Sequence, residues 1–583
     1  MLDSKQWTRT LATAASTLFF ALGACTEKNP TDATEASYKT RPIEADVIYF
    51  VLPDRFANGD PDNDTGGIEG SALDHGFDPT NKGFYHGGDL QGLKDKLGYL
   101  KKLGVSAIWL APPFKNKAVQ YHPGGVSAGY HGYWITDFLD IDPHFGTKED
   151  LKQLIEAAHG LNMKVILDIV ANHTADVIKY EECHDVENPN GPIAQDANPC
   201  AYRPLGEEPY TAFTPKSEIG IKNPEWLNDT RFYNNRGNTH WEGESAVYGD
   251  FAGLDDLDAL NPQVATGMID IFKYWISEVR PDGFRIDTVK HMNDSFWQIF
   301  VPAIEAHAKA EGIPEFAIFG EVYNLDPKAL ARFTHEAAMP AVLDFAFQDA
   351  ARDFISKGAP AQALQTLYAQ DSLYSEATSE ARRLPTFLGN HDMGRIGHFL
   401  SIDQPSDDDQ TRFKKHILSH ALLLFARGTP VIYYGDEQGF TGDGHDQDAR
   451  DDMFATKVAS YLDNDLIGSS QTTAVDNYND GSAVFTALQK LIHIRNSNDA
   501  LKFGEMEIIG TDNPQLFAFT RIYKNHQVFI AINAGDTDIM TATPGGKTGW
   551  IDLIGDTGIQ GEAQLLVPAH GFTAVKTDLT QAK

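Results

Sequence analysis

The sequence has few cysteines and a deficit of positive charge. Only three of its 583 residues are cysteine, and no CxxC, HExxH or phosphate-loop motif is present. Lys and Arg number 48 against 82 Asp and Glu, so the formal net charge is −34. Nucleic acids and anionic lipids need a basic binding surface, so neither is expected as a partner. The acidity is typical of a solvated surface and does not affect a neutral ligand.

Long hydrophobic runs are also missing, because the one apolar stretch, residues 11–24, is too short to span a bilayer. It follows Lys5 and Arg9, as the apolar region of an export signal does. Its end, LGAC at Leu22–Cys25, resembles a bacterial lipobox, in which the cysteine becomes the lipidated first residue. The alternative is an ordinary cleavage site with an incidental cysteine.

These features divide the N-terminus into a lipoprotein signal peptide, residues 1–25, and a polar linker, residues 26–43. We therefore expect an exported protein, either an outer-membrane lipoprotein that contacts the membrane only through its lipid anchor, or a secreted one. Export would place Cys183 and Cys200 in an oxidising compartment. A disulfide between them could stabilise the fold by about 3 kcal/mol. Two free buried thiols are the alternative.

Short β-branched or aromatic runs alternate with amphipathic stretches, which is typical of a parallel α/β fold. The predicted strands are 46–52, 106–111, 164–170, 283–287, 316–321, 342–347, 384–389 and 429–434. The predicted helices are 90–103, 147–161, 262–279, 294–311, 326–337, 360–370 and 412–427. Eight strands separated by helices predict a (β/α)8 TIM barrel.

Two segments lie outside this alternation of predicted strands and helices. Residues 174–253 are too long for a simple loop and predict a subdomain inserted after the third strand. Short alternating runs, including 515–523 and 527–533, predict a C-terminal antiparallel β-sandwich over 500–583. The barrel then comprises 44–173 and 254–499.

The predicted strand ends are unusually polar, and in a TIM barrel those ends form the active site. Strand three ends in DIVANH (168–173), strand four in RID (285–287) followed by KH (290–291), strand five at Glu321, and strand seven runs into NHD (390–392). A single aspartate there would be more typical of a helix cap. Several carboxylates, histidines and an arginine on one rim instead predict a catalytic site.

The segments DIVANH, GFRIDTVKH, FGEVY and FLGNHD resemble, in order, the four signature segments of the α-amylase family, glycoside hydrolase family 13. HGYWITDF (131–138) and LDDLD (254–258) resemble two further family segments, so the resemblance covers about residues 44 to 583. It implies that Asp287 is the nucleophile, Glu321 the general acid/base and Asp392 the third carboxylate. Retaining hydrolysis needs an attacking carboxylate and a proton donor. We expect Arg285, on the same strand face as Asp287, to hold Asp287 ionised.

The resemblance also implies substrate contacts. Tyr133 and His173 match positions that stack on and hydrogen-bond to the sugar at the cleavage point. Lys290 and His291 match a pair bordering the aglycone side in amylases and cyclodextrin glucanotransferases. The predicted substrate-binding residues are His131, Tyr133, His173, Arg285, Lys290, His291 and His391.

Two calcium sites are predicted, since calcium prefers six to eight oxygen ligands. By spacing alone, the Asn/Asp-rich stretch at 58–64 fits a turn equally well. The family resemblance favours calcium there, with ligands Asn58, Asp60, Asn63, Asp64, Gly87 and Asp89. It implies a second site formed by Asn172, Asp256 and the carbonyl of His291, with a further ligand from 174–253 that the sequence does not assign.

Together these features predict a monomeric, endo-acting, retaining α-amylase that hydrolyses α-1,4-glucan and binds Ca²⁺. One alternative is a glucan transferase such as a cyclodextrin glucanotransferase, although those enzymes usually carry further domains after the sandwich. A second alternative is a non-catalytic glucan-binding lipoprotein. Such proteins typically lose catalytic carboxylates, and this sequence keeps all three.

Overall fold

The computed structural model describes residues 37–122, 125–187, 200–546, 549–555, 558–559 and 564–579. The predicted signal peptide, Cys25 and the linker up to residue 36 lie outside the described residues. Within the described ranges, no helix is both long and apolar enough to cross a membrane.

Parallel strands form a closed barrel, which confirms the predicted α/β fold class. Seven strands hydrogen-bond in one sheet, and the first strand pairs with both the second and the last. The strands are Ile48–Val51, Ala107–Leu110, Lys164–Ile169, Gly283–Ile286, Ala317–Gly320, Pro385–Thr386 and Thr429–Tyr433. Their β-branched and aromatic residues are buried on both faces, as strands enclosed by helices require.

The sequence predicts a sixth barrel strand at 342–347, but the structure has no full strand there. Only Val342 forms a parallel bridge, to Gly320. The Asp344 carboxylate accepts a hydrogen bond from the Phe347 amide at 2.9 Å and starts a helix at Phe345. Because this N-cap begins the helix early, the predicted strand is wrong beyond its first residues. The Asp344 amide still donates to the Pro385 carbonyl at 2.9 Å, which closes the barrel.

Helices surround the barrel and largely follow the predicted ranges. The helix Pro262–Val279 has the predicted bounds, with Asn261 as its N-cap and Pro262 in its first turn. The α-helices are Pro53–Phe56, Ala72–His75, Leu90–Asp95, Leu97–Leu103, Lys148–Gly160, Ser245–Tyr248, Pro262–Val279, Asp294–Ala310, Pro327–His335, Phe345–Ala351, Gln362–Tyr368, Ile396–Asp403, Asp409–Phe425, Ala483–Asn496 and Asp499–Phe503, and Arg352–Ser356 is a π-helical turn. The 3₁₀ turns are Ile43–Ala45, Pro61–Asn63, Lys216–Glu218, Glu225–Asn228, Thr230–Phe232, Val289–His291, Asp371–Tyr374, Ala381–Arg383, Asp436–Gln438, Asp446–Ala449 and Pro544–Gly546.

An inserted subdomain follows the third barrel strand, and it contains little regular structure. A disulfide joins Cys183 to Cys200, so these cysteines are not the two free thiols of the alternative prediction. Short strand pairs tie the insert to itself and to the barrel. The short strands outside the barrel sheet are Phe114–Asn116, Val119–His122, Gly125–Ala128, Ile135–Ile141, His173–Thr174, Lys179–Tyr180, Ala212–Phe213 and Asp255–Asp256.

The C-terminal region is an antiparallel β-sandwich, as predicted. A six-stranded sheet contains Glu505–Ile509, Leu516–Tyr523, His526–Asn533, Trp550–Asp552, Gly558–Ile559 and Gly571–Asp578. A two-stranded sheet contains Ile539–Ala542 and Gln564–Val567. Their facing side chains, including buried Phe529 and Trp550, form a small separate core. The exact domain boundaries stay predictions.

A buried arginine fastens the segments around the sandwich to the barrel. Arg495 donates to the carbonyls of Leu424, Leu501, Glu44 and Gly428 at 2.8 to 3.0 Å. Burial lowers its pKa to about 9, which reflects the cost of holding a charge away from water. Four carbonyls from three segments of the chain thus depend on one side chain.

We expect Arg495→Met to lower the free energy of unfolding by about 3 kcal/mol or more, because it leaves buried carbonyls without donors. Thermal unfolding followed by circular dichroism measures the change. Lys490→Met is the matched control, since Lys490 is exposed on the same helix. Equal melting temperatures for the two variants would contradict this role.

Candidate active site

One arginine at the end of the fourth barrel strand contacts three carboxylates. Arg285 Nη1 lies 2.8 Å from Asp168 Oδ1 and 2.8 Å from Asp287 Oδ1. Its Nη2 lies 3.0 Å from Glu321 Oε2. The third, fourth and fifth strands are neighbours in the barrel, so they bring these groups to one rim. Arg285 is only 1 % exposed, and the charges therefore interact with little screening by water.

Asp168 is a central member of this cluster to which the sequence analysis gives no role. The strand register places Arg285 directly opposite it. Its other oxygen accepts hydrogen bonds from Trp109 Nε1 at 2.9 Å and the Tyr133 hydroxyl at 3.1 Å. Burial raises the pKa of Asp168 to about 6, while Arg285 opposes the rise. The sequence did offer a signal for this pair, because Asp168 and Arg285 occupy matching positions near the ends of adjacent predicted strands.

Arg285 favours the ionised form of Asp287, as expected, but it is not the strongest influence on that carboxyl. Burial raises the pKa of Asp287 well above its ordinary value, and the attraction of Arg285 only partly offsets this. The physical reason is that one guanidinium is shared among Asp168, Asp287 and Glu321, whose like charges repel. Thr288 follows in the left-handed region at φ +51°, and its amide donates to Glu321 Oε2 at 3.2 Å.

Asp392 lies on a more open part of the rim, with its side chain 49 % exposed. Arg450 Nη2 lies 3.3 Å from Asp392 Oδ1, and Arg450 Nε donates to the His391 carbonyl at 3.0 Å. The His391 ring stacks against Tyr133 with centroids 5.5 Å apart. The sequence analysis missed Arg450, which belongs to none of the strand-end segments and reaches Asp392 only through the fold.

The inserted subdomain contributes aromatic rings next to two predicted site histidines. Phe251 stacks on His173 at 5.5 Å and meets the His291 ring edge-on at 5.1 Å. Trp241, 47 % exposed, packs against Phe251 and His291. Burial lowers the pKa of His173 to about 3 and of His291 to about 4, so both rings are neutral at pH 7. Sequence analysis missed both aromatic residues because the insert lacks a periodic pattern.

Buried ring nitrogens without partners mark where a ligand could bond. Among the described residues, His173 Nε2 and His391 Nδ1 are buried without a hydrogen-bond partner. Lys290 lies further along the rim, where its ammonium donates to the Tyr323 carbonyl at 3.3 Å. His131 is buried beside Tyr133, whose amide donates to His131 Nδ1 at 3.1 Å. His131 therefore positions Tyr133.

The first predicted metal ligands gather around the loop after the first barrel strand. A Cβ built on Gly87 would lie 2.6 Å from Asp64 Oδ1 and 2.7 Å from Asn58 Nδ2, so these groups meet there. Asn63 Oδ1 is buried without a partner among the described residues, and burial raises the pKa of Asp64 to about 6.

Two members of this cluster also have ordinary structural tasks. Asp89 caps the following helix by accepting from the Gly92 amide at 2.6 Å, and its other oxygen accepts from the Asp60 amide at 2.8 Å. Asp60 caps the turn Pro61–Asn63. Asn63 Oδ1 and the Asp64 carboxyl, whose pKa burial raises, have no such capping task. Both groups suit a cation.

The second predicted metal site lies where the insert meets the barrel. Asn172 Oδ1 is buried without a partner among the described residues, and burial raises the pKa of Asp256 well above its ordinary value. Asp250, which the sequence analysis did not assign, accepts from the Asp256 amide at 3.5 Å and from the Tyr180 hydroxyl at 2.6 Å. Burial raises its pKa to about 7. His291 Nδ1 donates to the Ala246 carbonyl at 2.7 Å.

A (β/α)8 barrel with an insert after its third strand and carboxylates on its carboxyl rim defines a class of glycoside hydrolases. The family model described as alpha amylase, catalytic domain, matches residues 50–504. This chain belongs to the α-amylase family. It is 42% identical over 534 residues to the α-amylase of Streptomyces lividans, covering 87% of this chain and 58% of that protein. The chain thus spans less than two thirds of that relative's length.

A solved α-amylase and a solved glucanotransferase resemble the chain to a similar degree. An Anoxybacillus α-amylase superposes with a TM-score of 0.69 at 27% identity, covering 92% of this chain and 99% of that one. A cyclomaltodextrin glucanotransferase with a three-domain ABC distribution superposes with a TM-score of 0.70 at 27% identity, covering 91% and 99%. A glucanotransferase can therefore have the same three domains, so the domain count alone does not exclude a transferase.

Proposed function

We propose that this protein is an endo-acting, retaining hydrolase of α-1,4-glucosidic bonds in starch, glycogen or maltooligosaccharides. The observation that supports it most is the bridging of Asp287 and Glu321 by the two terminal nitrogens of Arg285. This arrangement holds two carboxyl groups close together on one rim, as a two-carboxylate mechanism requires. The 42% identity to a Streptomyces α-amylase supports the choice of substrate.

In the first step, an Asp287 oxygen attacks the anomeric carbon and the bond from that carbon to the leaving oxygen breaks. The bonding pair goes to the leaving oxygen, which takes the proton of Glu321. In the second step, the Glu321 carboxylate takes a proton from water, and the water oxygen attacks the anomeric carbon and displaces Asp287. Arg285 stabilises the ionised carboxylates throughout.

The remaining rim residues orient the sugar. The unpartnered nitrogens of His173 and His391 suit sugar hydroxyls, and both rings are neutral because burial lowers their pKa values. Tyr133 offers a ring for stacking on the sugar, and the exposed Asp392 accepts from its hydroxyls. Lys290 and His291 border the other side of the cleavage point, where Trp241 and Tyr323 are also exposed.

Calcium fits both oxygen-rich clusters, since each contains a buried amide oxygen without a partner and a carboxyl whose pKa is raised. Asn58, Asp60, Asn63, Asp64, Asp89 and the Gly87 carbonyl would hold one ion. Asn172, Asp256, the His291 carbonyl and Asp250 would hold the other. Calcium bound at the second cluster would supply positive charge that fastens the insert to the barrel.

A glucan transferase is the second candidate, since a three-domain cyclomaltodextrin glucanotransferase superposes on the chain with a TM-score of 0.70. The two functions share the first step and differ in whether water or a sugar hydroxyl accepts the glycosyl group. We further propose an exported monomer, anchored through Cys25 or secreted.

We expect Asp287→Asn to lower kcat on soluble starch by about 10⁴-fold or more, because the amide cannot act as the nucleophile. Reducing ends and the product ladder are followed over time with calcium present. Asp95→Asn, at an exposed helical position, is the control. Linear products of falling length support the hydrolase, whereas cyclic products with few new reducing ends would contradict it in favour of the transferase.

We expect Arg285→Gln to lower kcat/KM by about 10²-fold or more and to move its acid limb to higher pH by about one pH unit. Arg285 lowers the pKa of Asp287, so its removal lets that pKa rise further and the ionised form appears only at higher pH. Arg280→Gln, at an exposed position just before the same strand, is the control. An unchanged pH profile would contradict the proposed electrostatic role.

We expect exhaustive chelation to lower the melting temperature by several degrees, since an ion held at 100 times its Kd contributes about 2.7 kcal/mol. Added Ca²⁺ should restore the melting temperature. Asp64→Asn and Asp256→Asn should each reduce the effect of chelation by weakening one site. A melting temperature that chelation does not change would argue against calcium at either cluster.

A further inference from the structure

A groove of about 690 Å³ lies on the flank of the barrel, away from the active-site residues. One wall is the helix Pro262–Val279, and the other is the part of the insert that contains Pro224, Trp226 and Phe232. We name it the flank groove. Its lining residues are Leu139, Pro224, Trp226, Phe232, Pro262, Gln263, Thr266, Gly267, Asp270, Ile271 and Tyr274. None of them has a role in the proposed mechanism.

Trp226 is a half-buried aromatic residue that lines the flank groove. A Cβ added to Gly267 would lie 2.5 Å from Trp226 Cζ2, so the indole rests on the helix at its one glycine. Phe232 meets the indole edge-on with centroids 5.7 Å apart. Two hydrogen bonds stabilise the turn that carries Trp226. The Asn228 side chain donates to the Lys222 carbonyl at 2.7 Å and accepts from the Lys222 amide at 3.1 Å.

The rest of the groove combines apolar surface with polar side chains, one of them a carboxylate. Gln263, Thr266 and Asp270 are exposed on successive turns of the helix, and half-buried Tyr274 lies further along it. From Gln263 to Tyr274 the helix rises roughly 16 Å. The lining contains one carboxylate and no cationic side chain, while Lys148 donates to the Tyr274 hydroxyl at 3.2 Å. This charge pattern does not favour an anionic ligand.

We propose that the flank groove is a second binding site for neutral carbohydrate, occupied by a stretch of the α-glucan chain that the active site cleaves. A sugar ring has an apolar face that packs on an aromatic ring and hydroxyl edges that need polar partners. Trp226 and Tyr274 supply the rings, and Gln263, Thr266 and Asp270 supply the polar edge. The substrate identity rests on the proposed function.

The second site would act by avidity. A glucan polymer held in the groove keeps further bonds of the same molecule near the active site, which raises their effective concentration. A short oligosaccharide cannot occupy both sites at once, so it gains nothing. The groove therefore affects polymer substrates and leaves short ones unaffected.

The test compares two substrates on the full exported protein. Adsorption to starch granules and the rate of granule hydrolysis report on binding at the groove. The kcat/KM for maltopentaose reports on catalysis at the active site alone. Trp226→Ala should weaken granule adsorption and slow granule hydrolysis by about three- to tenfold. Its kcat/KM for maltopentaose should stay within about twofold of the wild type. Trp226→Tyr should restore most of the adsorption, because it keeps an aromatic face.

Two further variants separate binding from folding. Gln263→Ala with Asp270→Ala changes only exposed helical positions, where alanine is well tolerated, and should also weaken adsorption. Ile299→Ala, an exposed apolar residue on the next helix outside the groove, should change nothing.

Unchanged granule adsorption in Trp226→Ala and in the polar double variant would overturn the proposal. A wild-type dimer that Trp226→Ala converts to a monomer would assign the groove to a second copy and also overturn it. Failure of the wild type to cleave maltopentaose would instead contradict the proposed function, so the two failures are distinguishable.

Discussion

Three of the active-site carboxylates depend on one buried arginine. Arg285 forms salt bridges with Asp168, Asp287 and Glu321, and it is almost fully removed from water. Burial favours protonated carboxyls and the guanidinium favours ionised ones, so the raised pKa values of Asp168 and Asp287 record that burial prevails. The proposed mechanism needs Asp287 ionised as the nucleophile, and Arg285 favours that form by lowering its pKa.

The fold keeps this cluster in place through neighbouring parallel strands. Because the third, fourth and fifth strands are adjacent, their carboxyl ends deliver the arginine and its partners without long side-chain reaches. The insert then encloses the site from one side with Phe251 and Trp241. The same insert packs Trp226 against the helix Pro262–Val279, so one irregular segment shapes both the active site and the flank groove.

Much of the fold followed from local sequence patterns. The bounds of the helix Pro262–Val279 agree with the prediction because proline, an asparagine cap and apolar spacing all mark the same ends. The predicted strand at 342–347 failed because Asp344 caps a helix that begins there. Apolar runs such as VLDFAF suit a buried strand or a buried helix equally well, and only the surrounding barrel decides between them.

The sequence by itself determined the barrel, its order of segments and the strand ends that carry Asp287, Glu321 and Asp392, since these are local and lie in recognisable segments. Only the tertiary structure decided which distant groups complete the site. Arg450 reaches Asp392, and Asp250 lies beside Asp256, through contacts between remote or irregular segments. It also decided that Arg285 does not control Asp287 alone, because burial and the repulsion of neighbouring carboxylates arise only when the chain is folded.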